Sequence, residues 1–222
     1  MEMFTTAAGI EFLARYGHVL AGIAWIGMLY YFNFVQTEYF KEAEGPARTD
    51  AFVKLVPRAL WWFRWAAMLT FITGVVLLAA KGRGLTYDIG VGSLMAIFMF
   101  LNVWLIIWPN QRILIASNTR VQGGGEALPE AAAAAPKAAL ASRTNTLFSV
   151  PMLFFMISSA HFSVGGPLAY ASVPSLIVVL LIVLALEANA VFGRVGPMAT
   201  VRGVISAGFG LTVVLWALVR FL

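Results

Sequence analysis

His18 and His161 are the only histidines in the 222-residue chain. Each lies within a stretch apolar enough to cross a bilayer. An ionisable side chain in hydrocarbon is costly and marks a functional site by default. Neutral imidazole is a usual axial ligand of haem iron. Two imidazoles at one depth on two helices therefore predict a b-type haem held between them, with His18 and His161 as iron ligands. Bis-histidine ligation fills both axial positions, which favours electron transfer over oxygen binding. Two other arrangements remain open: each histidine serving a separate haem, or one or both merely hydrogen-bonding a neighbouring helix.

The neighbours of His18 suit a flat ligand. Ala21 and Gly22 follow at i+3 and i+4, so they share its helix face, and Trp25 continues that face at i+7. Near His161, Ser158 lies at i−3, where it could orient the imidazole, and Phe154 at i−7.

A second polar set falls towards the opposite half of the bilayer: Asn33, Arg64, Asn102, and Glu187 with Asn189. An ion pair between Arg64 and Glu187 is expected, because unpaired charges at this depth are rarely tolerated. Such a pair is structural, or it lines a cavity for a quinone, a purine or a proton route. Arg64, about two turns from the boundary, could instead snorkel to the headgroups. Asn33 could cap or join helices near its helix end. Asn33, Arg64, Asn102 and Glu187 are the candidate catalytic residues.

These residues need a membrane scaffold. The chain is 61% hydrophobic and 11% charged, against roughly 45–50% and about 25% in soluble domains. Its mean hydropathy is +0.86. An all-α, polytopic membrane helix bundle of one domain, residues 1–222, follows. Six spans are expected at roughly 11–36, 58–80, 87–108, 146–164, 170–193 and 199–221. The runs are long and do not alternate, which excludes strands. The N-terminal Met1–Thr6 lacks the basic region of a cleavable signal.

Positive residues concentrate in cytoplasmic connections. Lys41, Arg48, Lys54 and Arg58 fall in the first connection, Arg112, Arg120, Lys137 and Arg143 in the third, and Arg194 and Arg202 in the fifth. Lys81, Arg83 and Arg15 fall on the other side. The bias makes the odd connections cytoplasmic and both termini periplasmic. His18, about two turns into the first helix, and His161, about one turn before the exit of the fourth, then share the outer part of the bilayer.

Residues 121–143 include GGGEALPEAAAAAPKAALAS, a low-complexity segment read as a cytoplasmic loop with a short surface helix. Thr144, Asn145 or Thr146 would cap the fourth helix, with Pro151 in its first turns. Trp61, Trp62, Trp104, Trp108 and Tyr87 suit an interfacial aromatic belt.

The absence of cysteine excludes disulfides, thiolate metal sites and covalent haem attachment. No Walker loop, HExxH or GxSxG is present, and two histidines with few buried carboxylates do not make a multinuclear metal centre. The net charge of +5 calls for no nucleic-acid partner. No inverted repeat or pair of broken helices points to transport.

GHVLAGIAWIGMLYYFNFVQ, PRALWWFRWAAMLTFITGV, LNVWLIIWPNQRIL and SRTNTLFSVPMLFFMISSAHF stand in this order along the chain. Together they resemble the membrane domain of bacterial PuuD-type urate hydroxylases, the family described as urate oxidase N-terminal. The resemblance implies an inner-membrane oxidoreductase that oxidises urate in purine catabolism. Full-length members of that family carry a C-terminal cytochrome c domain. Without cysteine the present sequence has none, so electrons are expected to leave to a separate cytochrome c, a quinone or a respiratory partner subunit. His18 and His161 both fall in the matching text. The histidine followed by W-x-G is also similar, over a short stretch, to HemJ-type protoporphyrinogen oxidases and CopD-type membrane domains. Two alternatives to a urate-oxidising enzyme follow: a non-catalytic haem-binding subunit anchoring a respiratory complex, and a protoporphyrinogen-oxidase-like protein.

Overall fold

Each expected span becomes a helix in a computed structural model, which describes residues 2–222. Met1, the first residue of the N-terminal stretch, lies outside them. After a single turn at Glu2–Thr5, seven helices follow among the described residues: α1 Ala7–Glu42, α2 Gly45–Lys54, α3 Val56–Lys81, α4 Tyr87–Gln122, α5 Ala131–His161, α6 Val173–Phe192 and α7 Val201–Phe221. The starts follow local chemistry. Thr6, Thr86 and Thr200 accept backbone N–H bonds from Gly9, Ile89 and Gly203, which satisfies donors that a helix start leaves free. Pro57 and Pro174 stand in the first turns of α3 and α6, where a missing N–H costs nothing.

Five of these helices (α1, α3, α4, α6 and α7) are long and apolar enough to cross a membrane. The chain is a multi-pass membrane protein. Isoleucine, leucine and valine side chains such as Ile72, Leu105, Leu181 and Val213 point outward, where lipid chains are their natural solvent.

α5 is the axis of the bundle. It is less apolar than the other long helices, yet it is the most enclosed, with Phe148, Ser149, Asn145 and Phe155 fully buried. It runs antiparallel to α4: Asn145 meets Asn102 midway along both helices, and Ser158 near the end of α5 meets Asp88 near the start of α4. A helix surrounded by protein rather than lipid can carry polar residues, provided that each finds a partner. In residues 142–149, SRTNTLFS, the serine, threonine and asparagine side chains all do so, while the buried Arg143 has an Nη1 with no hydrogen-bond partner.

The low-complexity segment differs from its expected form. Only about 123–130 is non-helical, and Ala131–Ser142 is the beginning of α5 rather than loop. Ala134, Ala138 and Ala141 are buried at helical spacing. Small residues at that spacing let helices approach closely, and this packing outweighs Pro136. Thr144, Asn145 and Thr146 are accordingly not caps; they are buried in the middle of α5, and Pro151 is in its interior too. Tyr87, the first residue of α4, is buried in protein rather than facing lipid, and shares a hydrogen bond with Ser175.

α1 and α4 each contain one widened, π-helical turn, at Tyr31–Gln36 and Asn102–Ile107. In α4 the cause is Pro109, which cannot donate to Leu105 and whose ring crowds that carbonyl. In α1 the Thr37 hydroxyl donates to Phe32 O at 2.7 Å across the widened turn. Such turns are frequent at functional positions, and these two contain Asn33 and Asn102.

Candidate functional site

His18 lies on α1 against α3. Its Nδ1 is 2.9 Å from Thr70 O and 3.1 Å from Thr73 Oγ1. A carbonyl oxygen only accepts, so Nδ1 carries the proton and donates. The lone pair is then on Nε2, the tautomer that a metal-ligating imidazole adopts when its other nitrogen is held by a carbonyl. The ring lies close to α3 because position 74 is glycine: a Cβ there would stand 3.1 Å from His18 Cε1.

The rest of this face has room and a donor. A Cβ at Gly22 would meet nothing within 4 Å. Ala21 is buried, and the buried Trp25 has an indole Nε1 with no hydrogen-bond partner. Around the His18 level, no residue of α1 before Ala21 and none of α3 after Thr70 is buried, among the described residues.

His161 is the last residue of α5 and is exposed. Ser158 does not orient its ring; Ser158 Oγ donates to Asp88 Oδ1 at 2.7 Å and lies 3.2 Å from Phe155 O. The depth relation between the two histidines can be counted. The Tyr30 and Ser149 hydroxyls hydrogen-bond at 2.9 Å, and Asn33 Nδ2 donates to Ser142 Oγ at 2.8 Å. These bridges set α1 and α5 antiparallel. His18 and His161 each lie twelve residues outward from the Tyr30–Ser149 bridge, about 18 Å at 1.5 Å per residue. No hydrogen bond joins the two rings.

The inner polar set is organised around α5. Asn102 Nδ2 donates to Asn145 Oδ1 at 3.0 Å and to Glu187 Oε2 at 3.1 Å, and Asn145 Nδ2 donates to Met99 O at 2.9 Å. α4, α5 and α6 are thereby tied at one level. Asn33 is not at a helix end; it donates to Leu29 O and to Ser142 and so joins α1 to α5. Asn189 belongs to a local turn, bonded both ways with Arg194.

Arg64 does not pair with Glu187. Its guanidinium lies 3.8 Å above the Trp108 ring centroid. The ion pairs among the described residues, Arg15–Glu11, Lys41–Glu38 and Lys54–Asp50, are all local and exposed. A planar guanidinium is weakly hydrated and stacks readily on indole, so it can remain at this depth without a carboxylate. Glu187 in turn is held by an amide, not a cation.

Two participants were not marked by the sequence reading. Asn145, which looks like a cap, is the fully buried hub of the inner set. Asp88, which reads as an ordinary first-turn acid two residues after the Thr86 cap, is fully buried and accepts four hydrogen bonds. No group of three or more metal-binding side chains occurs among the described residues.

The model of the urate oxidase N-terminal family matches residues 82–217, and the chain belongs to that family. His161, Asp88, Asn102, Asn145 and Glu187 lie within the match, while His18, Asn33 and Arg64 precede it. No curated protein and no solved structure matches the chain.

Proposed function

We propose that this member of the urate oxidase N-terminal family is a haem-dependent membrane oxidoreductase. It oxidises a small substrate, urate by family kinship, and passes electrons to a separate cytochrome c or quinone at the bacterial inner membrane. The observation that carries the reading is the state of His18: Nδ1–H is committed to Thr70 O and Nε2 is left as a free ligand.

A b-type haem would be ligated by His18, with His161 at the same depth as the second ligand. Thr70 and Thr73 hold the His18 ring in its tautomer and orientation. Ala21 and Gly22 allow a flat ring to come near the helix, and the unpartnered Trp25 indole supplies a donor for an acceptor group placed there. When bound, a haem would supply one-electron redox chemistry. The Asn102–Asn145–Glu187 set fixes the spacing of α4, α5 and α6 beneath that level.

The test is the optical spectrum of the purified full chain, oxidised and reduced, with haem quantified, for wild type, His18→Ala and His161→Ala. One low-spin haem b in wild type is expected, lost or converted to high spin in each variant. An unshifted, full spectrum in either variant refutes bis-histidine ligation. Haem present without urate-dependent reduction would favour a non-catalytic, haem-carrying subunit of a respiratory complex.

A further inference from the structure

We infer that Asp88 is a positioning residue for His161, an inference that rests on the haem-ligand reading above. His161 closes α5, and nothing in its own sequence secures that end. The following residue, Phe162, leaves helical geometry at φ −158° and is not the glycine that commonly terminates a helix. Final turns held in this way fray. A fraying turn would leave the imidazole with no defined direction.

Asp88 supplies the missing constraint from another helix. Its Oδ1 accepts from Ser158 Oγ at 2.7 Å and from Val164 N at 3.0 Å. Its Oδ2 accepts from Ser163 Oγ at 2.8 Å and from Gly165 N at 3.0 Å. One donor precedes His161 by three residues, and the others follow it by two, three and four. The carboxylate thus grips the chain on both sides of the histidine while leaving its ring free.

The grip extends beyond Asp88. The Thr86 and Ser159 hydroxyls share a hydrogen bond of 2.8 Å, Tyr87 N donates to Gly166 O at 2.9 Å, and Leu168 N donates to Leu85 O at 2.9 Å. Gly165 leaves no space for a side chain: a Cβ would stand 2.7 Å from Val219 Cγ1 and 2.9 Å from Tyr87 Cβ. Gly166 takes φ +67°, which favours glycine. The start of α4 and the segment after α5 are laced together, with His161 at their junction.

Charge-assisted bonds to a buried carboxylate are stronger than neutral ones. An amide in its place can accept at one atom only, and its NH2 would face the Gly165 N–H. Asp88→Asn should therefore release one side of the grip without emptying the position. Ser163→Ala removes one of the four donors to the carboxylate, together with the acceptor of the Gly166 N–H, and is the milder probe.

The experiment uses the full chain purified with haem, in wild type, Asp88→Asn, Ser163→Ala and His161→Ala forms. It combines haem stoichiometry, the low-spin and high-spin optical bands, and hydrogen exchange over 158–168. In Asp88→Asn, haem stoichiometry should be retained through His18 while a high-spin fraction appears, with exchange at Val164 and Gly165 at least tenfold faster. Ser163→Ala should move both readouts in the same direction by less. Faster exchange with an unchanged low-spin spectrum would make Asp88 merely structural and overturn the inference. If Asp88→Asn does not fold, Ser163→Ala decides on the same two readouts. No haem in wild type, or a low-spin spectrum that survives His161→Ala, would instead overturn the ligand reading on which the inference stands.

Discussion

The bond between Asn102 and Asn145 should be measurable as an energetic coupling. Asn145→Ala removes two hydrogen bonds, to Met99 O and from Asn102, at a position with no solvent access. Side-chain hydrogen bonds between membrane helices average about 0.6 kcal/mol and reach about 1.7 kcal/mol. With the cavity left by the truncated side chain, a loss of about 2–3 kcal/mol is expected. Asn102→Ala removes the shared bond and the bond to Glu187 and should cost about as much. The shared bond is counted in both single variants but lost only once in the double variant. The double variant should therefore be more stable than the sum predicts by about 0.6–1.7 kcal/mol. The assay is reversible unfolding in mixed micelles with increasing sodium dodecyl sulfate, followed by tryptophan fluorescence. Additivity to within about 0.3 kcal/mol would refute the direct bond, since contacting residues couple and independent ones do not.

The revised pairings give two further expectations. Arg64→Gln should lose the contact with Trp108, about 0.5–1 kcal/mol, and Glu187→Gln should lose little because its amide oxygen still accepts from Asn102; an energetic coupling between these two substitutions in the same unfolding assay would restore the discarded ion pair. Gly165→Ala should destabilise by about 1–3 kcal/mol through its clash with Val219 and Tyr87, seen as a lowered melting temperature, and an unchanged melt would mean that the segment after α5 is loose.

The fold was readable wherever burial follows hydropathy. α3, α4, α6 and α7 begin within about three residues of the expected starts, because capping threonines and first-turn prolines mark them. α5 was misread at its beginning for a physical reason. Its first turns bury Ala134, Ala138 and Ala141 but leave Ala132, Ala133, Ala135, Pro136, Lys137 and Ala139 exposed, so no long lipid-facing apolar run appears, and an alanine-rich segment with a proline reads as loop. The histidines were legible as isolated ionisable groups in apolar runs. The partner of Arg64 was not, because a charge can be accommodated by an indole as well as by a carboxylate, and sequence separation does not reveal which ring is near. Asp88 was hidden by its location in a first turn, where acids are common for the helix dipole alone.

The antiparallel register also constrains where a substrate could react. The Asn102–Asn145 bond lies sixteen residues along α5 from His161, about 24 Å at 1.5 Å per residue. Reacting atoms must come within about 3–3.5 Å of one another. A cofactor held at the histidine level therefore cannot make bonding contact with a molecule held at the Asn102–Asn145–Glu187 level. Either the substrate enters the outer half and meets the cofactor beside His18 and Trp25, or the inner set performs a chemistry of its own. The inner set argues for the first alternative. The Asn102 amide is already committed to both of its neighbours, Asn145 is spent on Met99 and Asn102, and all but Glu187 are closed to solvent. The outer half holds the free Nε2 of His18, the unpartnered Trp25 indole and the open face at Gly22. Buried groups without a partner also occur at Gln36 Oε1, Trp104 Nε1, Gln111 Oε1 and Arg143 Nη1, so unspent hydrogen-bonding capacity alone does not mark the site; the free imidazole Nε2 of His18 does, because it can bind a metal where an indole N–H or a guanidinium cannot.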